Sequence, residues 1–518
     1  MFALATVMAL PATSATVVLL AYAWILVGAD LKLARLLPLA QACAVLVLAT
    51  AKWAAIDVLA WRFSPGWSSA TYAPVFNPLM GTAIALAGSL VAIYRLRCST
   101  IEKMFHALGA DNAKPALVSL AIIAGILTFG LSFEVDRVVE QVAMHVWPAG
   151  QIKLMGLTIL WSIAGAAYLA AYLAIDRSAS GRSSWRTFAT ALCIVLVGKF
   201  MFLDTLVWAV GRGSVHPAAL LNMQMLTALV VAATVALTQW LLSLGASDKD
   251  NSSLHNPITF LAALVILWAG SFEIVRLVND GVFPGTAVWS SFTLKNLALT
   301  AWWGTGLCGY LAYASSVDPR QAAASRAIRV ISVIVALIGI KFILVDTALS
   351  FFGSTSPTVL LNAQAATAAL LLAGLIFIRF LLPAGSQARA FVSAVAVLLP
   401  LWCGSIEINR ALERSAVAMS FANPRLAKQV ALSIFFSIYA IGCVALGFRL
   451  RAAGLRYFGL ALFALTLAKV GVLDLSRAST GYRFLSFMGL GGLLLVTSVI
   501  YGRLSPRLLR ASPGAASG

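Results

Sequence analysis

The feature that most constrains this chain is a series of apolar runs, each close to the roughly 20 residues with which an α-helix crosses a bilayer. Hydrophobic residues make up 61% of the sequence and charged residues only 11%, whereas soluble domains carry about a quarter charged residues. This composition excludes an ordinary water-soluble enzyme and a disordered chain. The sequence therefore predicts an all-α, polytopic transmembrane protein.

Charged residues, prolines and glycines divide the apolar sequence into about fifteen predicted spans. Their predicted bounds are 5–28, 36–60, 76–95, 116–137, 149–174, 187–209, 217–243, 257–277, 287–314, 328–350, 358–381, 390–411, 427–449, 455–475 and 482–502. No basic segment precedes the first run, so we interpret it as a membrane helix and not as a cleaved signal peptide. Residues 505–518 are expected to form a flexible tail.

Lysines and arginines are concentrated in alternate loops, including those near 320–329 and 449–456. Cytoplasmic loops of membrane proteins carry such an excess. We therefore expect a cytoplasmic C-terminus and, with an odd number of spans, an outside N-terminus. The formal net charge of +19 has the same explanation, and nucleic-acid binding is not predicted because no basic stripe is interleaved with aromatic residues.

Three charged motifs recur within the apolar runs. The first is Lys-x4-Asp, at Lys52 and Asp57, Lys199 and Asp204, Lys341 and Asp346, and Lys469 and Asp474. The second is Ser-[Phe/Ile]-Glu-x2-Arg, with Glu134 and Arg137, Glu273 and Arg276, and Glu407 and Arg410. The third is a lysine followed eight residues later by an aromatic residue, at Lys153, Lys295 and Lys428. An asparagine follows three of the Lys-x4-Asp motifs, at Asn77, Asn222 and Asn362.

The constant order of these motifs predicts an internal repeat. Each repeat would contain a Glu helix, a Lys helix, a Lys-Asp helix and an Asn helix. Three complete four-helix repeats are predicted at 115–245, 255–383 and 389–504, after a partial repeat of three spans at 1–97. Because each complete repeat has an even number of spans, the repeats should be parallel and not inverted.

The charged residues of these motifs form a candidate intramembrane polar cluster. A lysine at mid-helix costs about 2.5–3.5 kcal/mol to insert into a bilayer, so each one needs an anion or water nearby. In an α-helix, residues five apart point about 140° away from each other. We therefore expect at least two of Lys199, Lys341 and Lys469 to pair with a glutamate of their own or a neighbouring repeat and not with their own aspartate.

The end of the chain carries further features, from Ser433 to Leu504. They are an aromatic-rich helix that ends in Gly-x-Arg, the run Arg456-Tyr-Phe-Gly-Leu, the Lys469 motif, and Tyr482-Arg483-x-Leu-Ser-Phe before a Gly- and Leu-rich helix. This stretch resembles the C-terminal part of the "domain of unknown function 2339" family of predicted bacterial multi-pass membrane proteins. The resemblance implies a bacterial inner-membrane location and supplies no activity.

Three functions fit these observations. The leading hypothesis is a transporter, or a component of envelope transport or assembly, with an outward-facing polar vestibule lined by the charges. The alternatives are a membrane-embedded enzyme acting on a lipid-linked envelope substrate, which is less favoured, and a passive membrane scaffold whose charges form inter-helix ion pairs. The predicted partners are the lipid bilayer and an envelope or lipid-linked substrate, and the sequence does not identify a protein partner. No cofactor or metal site is predicted, because the cysteines and histidines lack ligand spacing.

Overall fold

The computed structural model describes most of the chain. The described residues are 12–33, 36–63, 73–107, 115–141, 149–175, 179–206, 219–243, 248–282, 290–317, 326–348, 358–414 and 424–470, with six helical residues between 488 and 499. Within these ranges the chain is all-helical and has no strand, which confirms the predicted fold class. The tail at 505–518 and nearly all of the predicted span at 482–502 lie outside them.

Fourteen long helices run through the described ranges. They are α1 Ala12–Leu33, α2 Leu36–Lys52, α3 Pro78–Ala107, α4 Pro115–Gln141, α5 Ala149–Ile175, α6 Ala179–Lys199, α7 Met223–Ser243, α8 Asp248–Asn279, α9 Ser291–Val317, α10 Arg326–Lys341, α11 Ala363–Leu381, α12 Gln387–Arg414, α13 Pro424–Arg449 and α14 Ala453–Lys469. Three of them continue as π-helical turns: α2 through Trp53–Asp57, α6 through Phe200–Leu206 and α10 through Phe342–Ala348. After its π turn, α2 resumes α-helical geometry over Val58–Arg62.

Twelve helices of the described part are long and apolar enough to cross a membrane. They are α1 to α8 and α10 to α13. Large apolar side chains such as Ile25, Val47 and Leu465 are exposed on the helix surfaces, where lipid would cover them. The chain is therefore a multi-pass membrane protein, while the number of spans and the repeat boundaries stay predictions.

The chain forms two compact units, residues 1–277 and 278–518. In the first unit α1 packs on α2, and α4 packs between α3 and α5. One apolar core of this unit surrounds the fully buried Trp53, and another surrounds Phe200. Both of these aromatic residues immediately follow the lysine of a Lys-x4-Asp motif, so the π turns lie inside the helix packing.

The second unit repeats one of these arrangements, a Glu helix packed between its two neighbours in the sequence. Here α12 packs on both α11 and α13, and α10 packs on α12. The pair α13 and α14 approaches closely at Gly459, where an added Cβ would lie 2.7 Å from the carbonyl oxygen of Ala440. A small residue at this position allows the two backbones to pack together, as at many membrane helix interfaces.

Candidate functional site

In three of the four Lys-x4-Asp motifs the lysine forms an ion pair with its own aspartate. The distances from Nζ to Oδ1 are 2.5 Å for Lys52 and Asp57, 2.8 Å for Lys199 and Asp204, and 2.7 Å for Lys341 and Asp346. The prediction that Lys199 and Lys341 bind a glutamate instead of their own aspartate is therefore wrong. Asp474, the acid of the fourth motif, lies outside the described residues.

Local helix geometry explains this pairing. In each of the three motifs the five residues after the lysine, the aspartate included, form part of a π-helical turn. A π-helix makes i→i+5 hydrogen bonds, so residues five apart lie above each other. The expectation of a 140° separation assumed α-helical geometry throughout. In the fourth motif Val470, which directly follows Lys469, also has π-helical geometry.

A hydroxyl group from the preceding helix completes each ion pair. On α5, Thr158 accepts a hydrogen bond from Lys199 Nζ and donates one to Asp204 Oδ2. The same arrangement joins Thr16 to Lys52 at 2.9 Å and to Asp57 at 2.5 Å. It also joins Thr300 to Lys341 at 2.6 Å and to Asp346 at 2.5 Å. Each trio therefore ties two neighbouring helices together, α1 to α2, α5 to α6, and α9 to α10.

Sequence reasoning missed these hydroxyl residues, although a signal was present. Thr158, Thr300 and Ser433 each lie five residues after the lysine of the third motif, which is Lys153, Lys295 or Lys428. Ser433 accepts a hydrogen bond of 2.6 Å from Lys469 Nζ, as the threonines do for their lysines.

Backbone carbonyls supply a further contact to the lysines. Lys199 Nζ donates to the carbonyl of Leu154 at 2.8 Å, and Lys341 Nζ donates to that of Asn296 at 3.2 Å. Lys469 Nζ likewise donates to the carbonyl of Gln429 at 3.1 Å. In each case the carbonyl belongs to the residue four positions before the hydroxyl residue. An ammonium group has three donors, and in Lys199 the aspartate, the threonine and the carbonyl occupy all three.

The three ion pairs differ in the exposure of the lysine. The side chain of Lys52 is 3% exposed, that of Lys199 is 8% exposed and that of Lys341 is 36% exposed, while all three aspartate side chains are fully buried. The first two pairs are therefore enclosed by protein, and the third can be reached from its surroundings.

The glutamates of the second motif bind the asparagines instead of the lysines. The distances from asparagine Nδ2 to glutamate Oε1 are 2.8 Å for Asn77 and Glu134, 2.8 Å for Asn222 and Glu273, and 3.0 Å for Asn362 and Glu407. Each asparagine Oδ1 also accepts the backbone N–H three residues later and so caps the start of α3, α7 or α11. Each glutamate thus contacts the asparagine of the preceding predicted repeat.

A strained backbone turn lies two residues before each of these asparagines. Val75, Leu220 and Leu360 have φ values of 68°, 66° and 60°, in the left-handed region that costs a non-glycine residue about 1–2 kcal/mol. Their backbone N–H groups donate to the Oε2 atoms of Glu134, Glu273 and Glu407 at 3.0, 2.7 and 2.7 Å. The buried carboxylate therefore holds the turn in its strained conformation.

An arginine neutralises each of these glutamates from the same helix face, as the i,i+3 spacing predicts. Arg137, Arg276 and Arg410 form ion pairs with Glu134, Glu273 and Glu407. Arg276 also donates to Gln224, and Arg410 donates to Gln364. Gln364 in turn donates to the carbonyl of Asp346 at 3.1 Å. In the second unit the glutamate site and the Lys-Asp site are therefore joined through one glutamine.

The lysines of the third motif have more exposed partners. Lys153 pairs with Asp136 at 2.7 Å and with Glu140 at 2.9 Å, and Lys428 pairs with Glu413 at 2.7 Å. Lys295 has no ion pair among the described residues. The candidate cluster is thus not one site. It separates into Lys-Asp-hydroxyl trios, Glu-Arg-Asn sites and the more exposed ion pairs of Lys153 and Lys428.

Comparison with known protein families gives a match, which covers several of these sites. The family described as "Predicted membrane protein (DUF2339)" matches residues 205–504, which is more than half of the chain. No curated protein and no solved structure matches the chain. The matched range begins at Thr205, directly after Asp204, and includes two of the three glutamate sites, those of Glu273 and Glu407.

Proposed function

The chain belongs to the DUF2339 family of predicted membrane proteins, and we propose that it is a scaffold or assembly component of the bacterial inner membrane. Its buried charges tie transmembrane helices together. The observation that carries this proposal is that the charges of the Lys-Asp and Glu-Arg motifs have equivalent partners in successive motifs, which is the arrangement expected of structural ion pairs.

The saturation of the lysines supports a structural role. Lys199 uses its three N–H donors on Asp204, Thr158 and the carbonyl of Leu154. A buried ammonium group without free donors has nothing left with which to bind a substrate. In an enzyme we would expect the acids of one repeat to have partners unlike those of the other repeats. Glu134, Glu273 and Glu407 instead have equivalent partners.

The contacts of the glutamates also support a different grouping of the repeats. Each glutamate binds the asparagine of the repeat before it, and α4 packs on α3 as α12 packs on α11. We infer that each repeat begins with the Lys helix and ends with the Glu helix. The regrouped repeats would then be 12–141, 149–279, 291–414 and an incomplete repeat from 424. This grouping gives the first repeat its full four helices.

Transport is the second candidate function, and the exposure of Lys341 favours it. Lys341 is 36% exposed, whereas its counterpart Lys199 is 8% exposed. If the predicted orientation holds, with the N-terminus outside, an aqueous vestibule at the third Lys-Asp motif would make Lys341 accessible from outside. An envelope or lipid-linked molecule would be the substrate.

Cysteine accessibility distinguishes these two functions. In a variant whose six native cysteines are replaced by serine, Lys341→Cys and the matched control Lys199→Cys would be treated with a membrane-impermeant thiol reagent in right-side-out vesicles. The scaffold predicts that neither cysteine reacts until detergent is added, because lipid covers the exposed face of Lys341. Rapid labelling of Lys341→Cys in intact vesicles, with no labelling of Lys199→Cys, would favour the vestibule and contradict the scaffold role.

A further inference from the structure

A cavity of about 850 Å³ lies in the second unit between the first turns of α10 and α12. This volume falls in the range of ligand-binding pockets, roughly 300–1,000 Å³. The cavity is separate from the ion-pair sites, since none of the Lys-Asp or Glu-Arg residues lines it. What it could bind follows from the side chains in its wall.

The wall of the cavity has a polar part and an apolar part. Arg329, Ser386 and Gln387 belong to the first turns of the two helices or directly precede them, while Val333, Ile334 and Phe391 lie further along the helices. A rise of 1.5 Å per residue places Ile334 about 7.5 Å further along the helix axis than Arg329. The cavity therefore offers a charged end followed by an apolar channel.

The charged end attracts anions. Arg329 is exposed and has no ion pair among the described residues, and the wall contains no acidic residue. The helix dipoles of α10 and α12 add positive potential, because both helices begin here. Ser386 already caps α12 by accepting the N–H of Arg389. Arg329 is therefore the group in the wall that can bind an anion.

We propose that this cavity binds an anionic phospholipid, with the phosphate at Arg329 and an acyl chain along Val333, Ile334 and Phe391. The basic loops at this end of the helices are predicted to be cytoplasmic, and the cytoplasmic leaflet carries the anionic lipids that basic pockets between membrane helices recognise. The proposal rests on membrane insertion, which family membership supports, and it does not depend on the scaffold role.

The test is a lipid titration of the intact protein in neutral detergent, followed by native mass spectrometry. Phosphatidylglycerol would be compared with phosphatidylcholine of the same acyl chains. We expect wild type to retain phosphatidylglycerol preferentially and Arg329→Gln to weaken this binding about fivefold. Arg379→Gln, which removes an arginine from the last turn of α11 and outside the cavity, should leave binding unchanged.

Two further variants keep the proposal falsifiable. Arg329→Lys keeps the charge and should restore most of the binding, whereas Ala388→Phe fills the cavity and should abolish lipid retention without removing any charge. Equal losses in Arg329→Gln and Arg379→Gln would reveal general surface electrostatics and overturn the proposal. Undiminished binding by Arg329→Gln, or displacement of the lipid by free glycerol phosphate at equal concentration, would overturn it as well.

Discussion

Lys199 Nζ lies 2.8 Å from Asp204 Oδ1 on the same helix, and the π-helical turn between the two residues makes that contact geometrically available. The ion pair and the turn therefore depend on each other: the pair offsets the poorer backbone packing of the turn, and the turn brings the charges together. Thr158 extends the arrangement to the neighbouring helix α5. This relationship leads to measurable consequences.

Removing the bridging hydroxyl should weaken the junction between α5 and α6. Thr158→Val keeps the shape of the side chain but deprives both Lys199 and Asp204 of a buried partner. We expect unfolding in detergent to become about 1–2 kcal/mol easier.

Thr190→Val is the matched control, because the hydroxyl of Thr190 donates to the carbonyl of Arg186 on its own helix and has no other partner in the described part of the chain. It should change the stability by less than about 0.5 kcal/mol. Equal effects of the two substitutions would mean that Thr158 does not join the helices.

Glycine at the strained turn should be tolerated or stabilising. Leu220 has a φ of 66° and is 54% exposed, so Leu220→Gly relieves left-handed strain at little cost in burial. We expect a thermal midpoint at or above that of wild type. Leu221→Gly, at the neighbouring 89% exposed position without a positive φ, should lower it. A larger loss from Leu220→Gly than from Leu221→Gly would contradict the strain argument.

The carboxylate that holds this turn should be important for stability. Glu273→Gln keeps the size of the side chain but replaces one acceptor oxygen with an NH2 donor. That donor would face another donor, either the N–H of Leu220 or the amide NH2 of Asn222. The substitution also leaves Arg276 without its counter-charge. We expect a loss of about 3 kcal/mol. Glu413→Gln, whose side chain is 44% exposed beside Lys428, should cost under about 1 kcal/mol. Similar costs at both sites would mean that burial does not govern these pairs.

Topology is the fourth expectation, and it tests the charge asymmetry of the loops. Among the described residues, Val282 follows α8 and Leu450 follows α13. In the variant without native cysteines, Val282→Cys should react with an impermeant reagent added from outside, and Leu450→Cys should react only after the membrane is opened. The predicted cytoplasmic loop at 320–329 lies partly outside the described residues, so Leu450 is the better probe of that side. If the outside reagent labelled Leu450→Cys and not Val282→Cys, the predicted topology would be wrong.

Over the residues that the structure describes, the sequence was sufficient to predict the helices, because hydropathy and length determine which segments a bilayer accepts. It also located the charged residues of the Lys-Asp and Glu-Arg pairs, but not Asp136, Glu140 or Glu413, the acids that bind Lys153 and Lys428. It could not predict the partners of Lys199 and Lys341, since nothing in the Lys-x4-Asp spacing distinguishes a π turn from an α-helix, and the partner changes with that choice.

The partners of the glutamates were missed for another reason. Asn222 and Glu273 were both identified from the sequence, but the predicted repeat placed them in different units. Their contact depends on which helix packs beside which, and periodic motifs leave the starting point of a repeat undetermined. The five-residue spacing between Lys153 and Thr158 is present in the sequence, but it predicts no contact unless the position of the Lys199–Asp204 pair is known.

A double-mutant cycle on Lys199 and Asp204 tests the central claim most directly. The free energy of unfolding would be measured in detergent for wild type, Lys199→Met, Asp204→Asn and the double variant. We predict that each single substitution costs about 3 kcal/mol, because it leaves a buried charge without its partner, and that the double variant is more stable than either single one. Additive losses, with no coupling between the two residues, would contradict a structural ion pair.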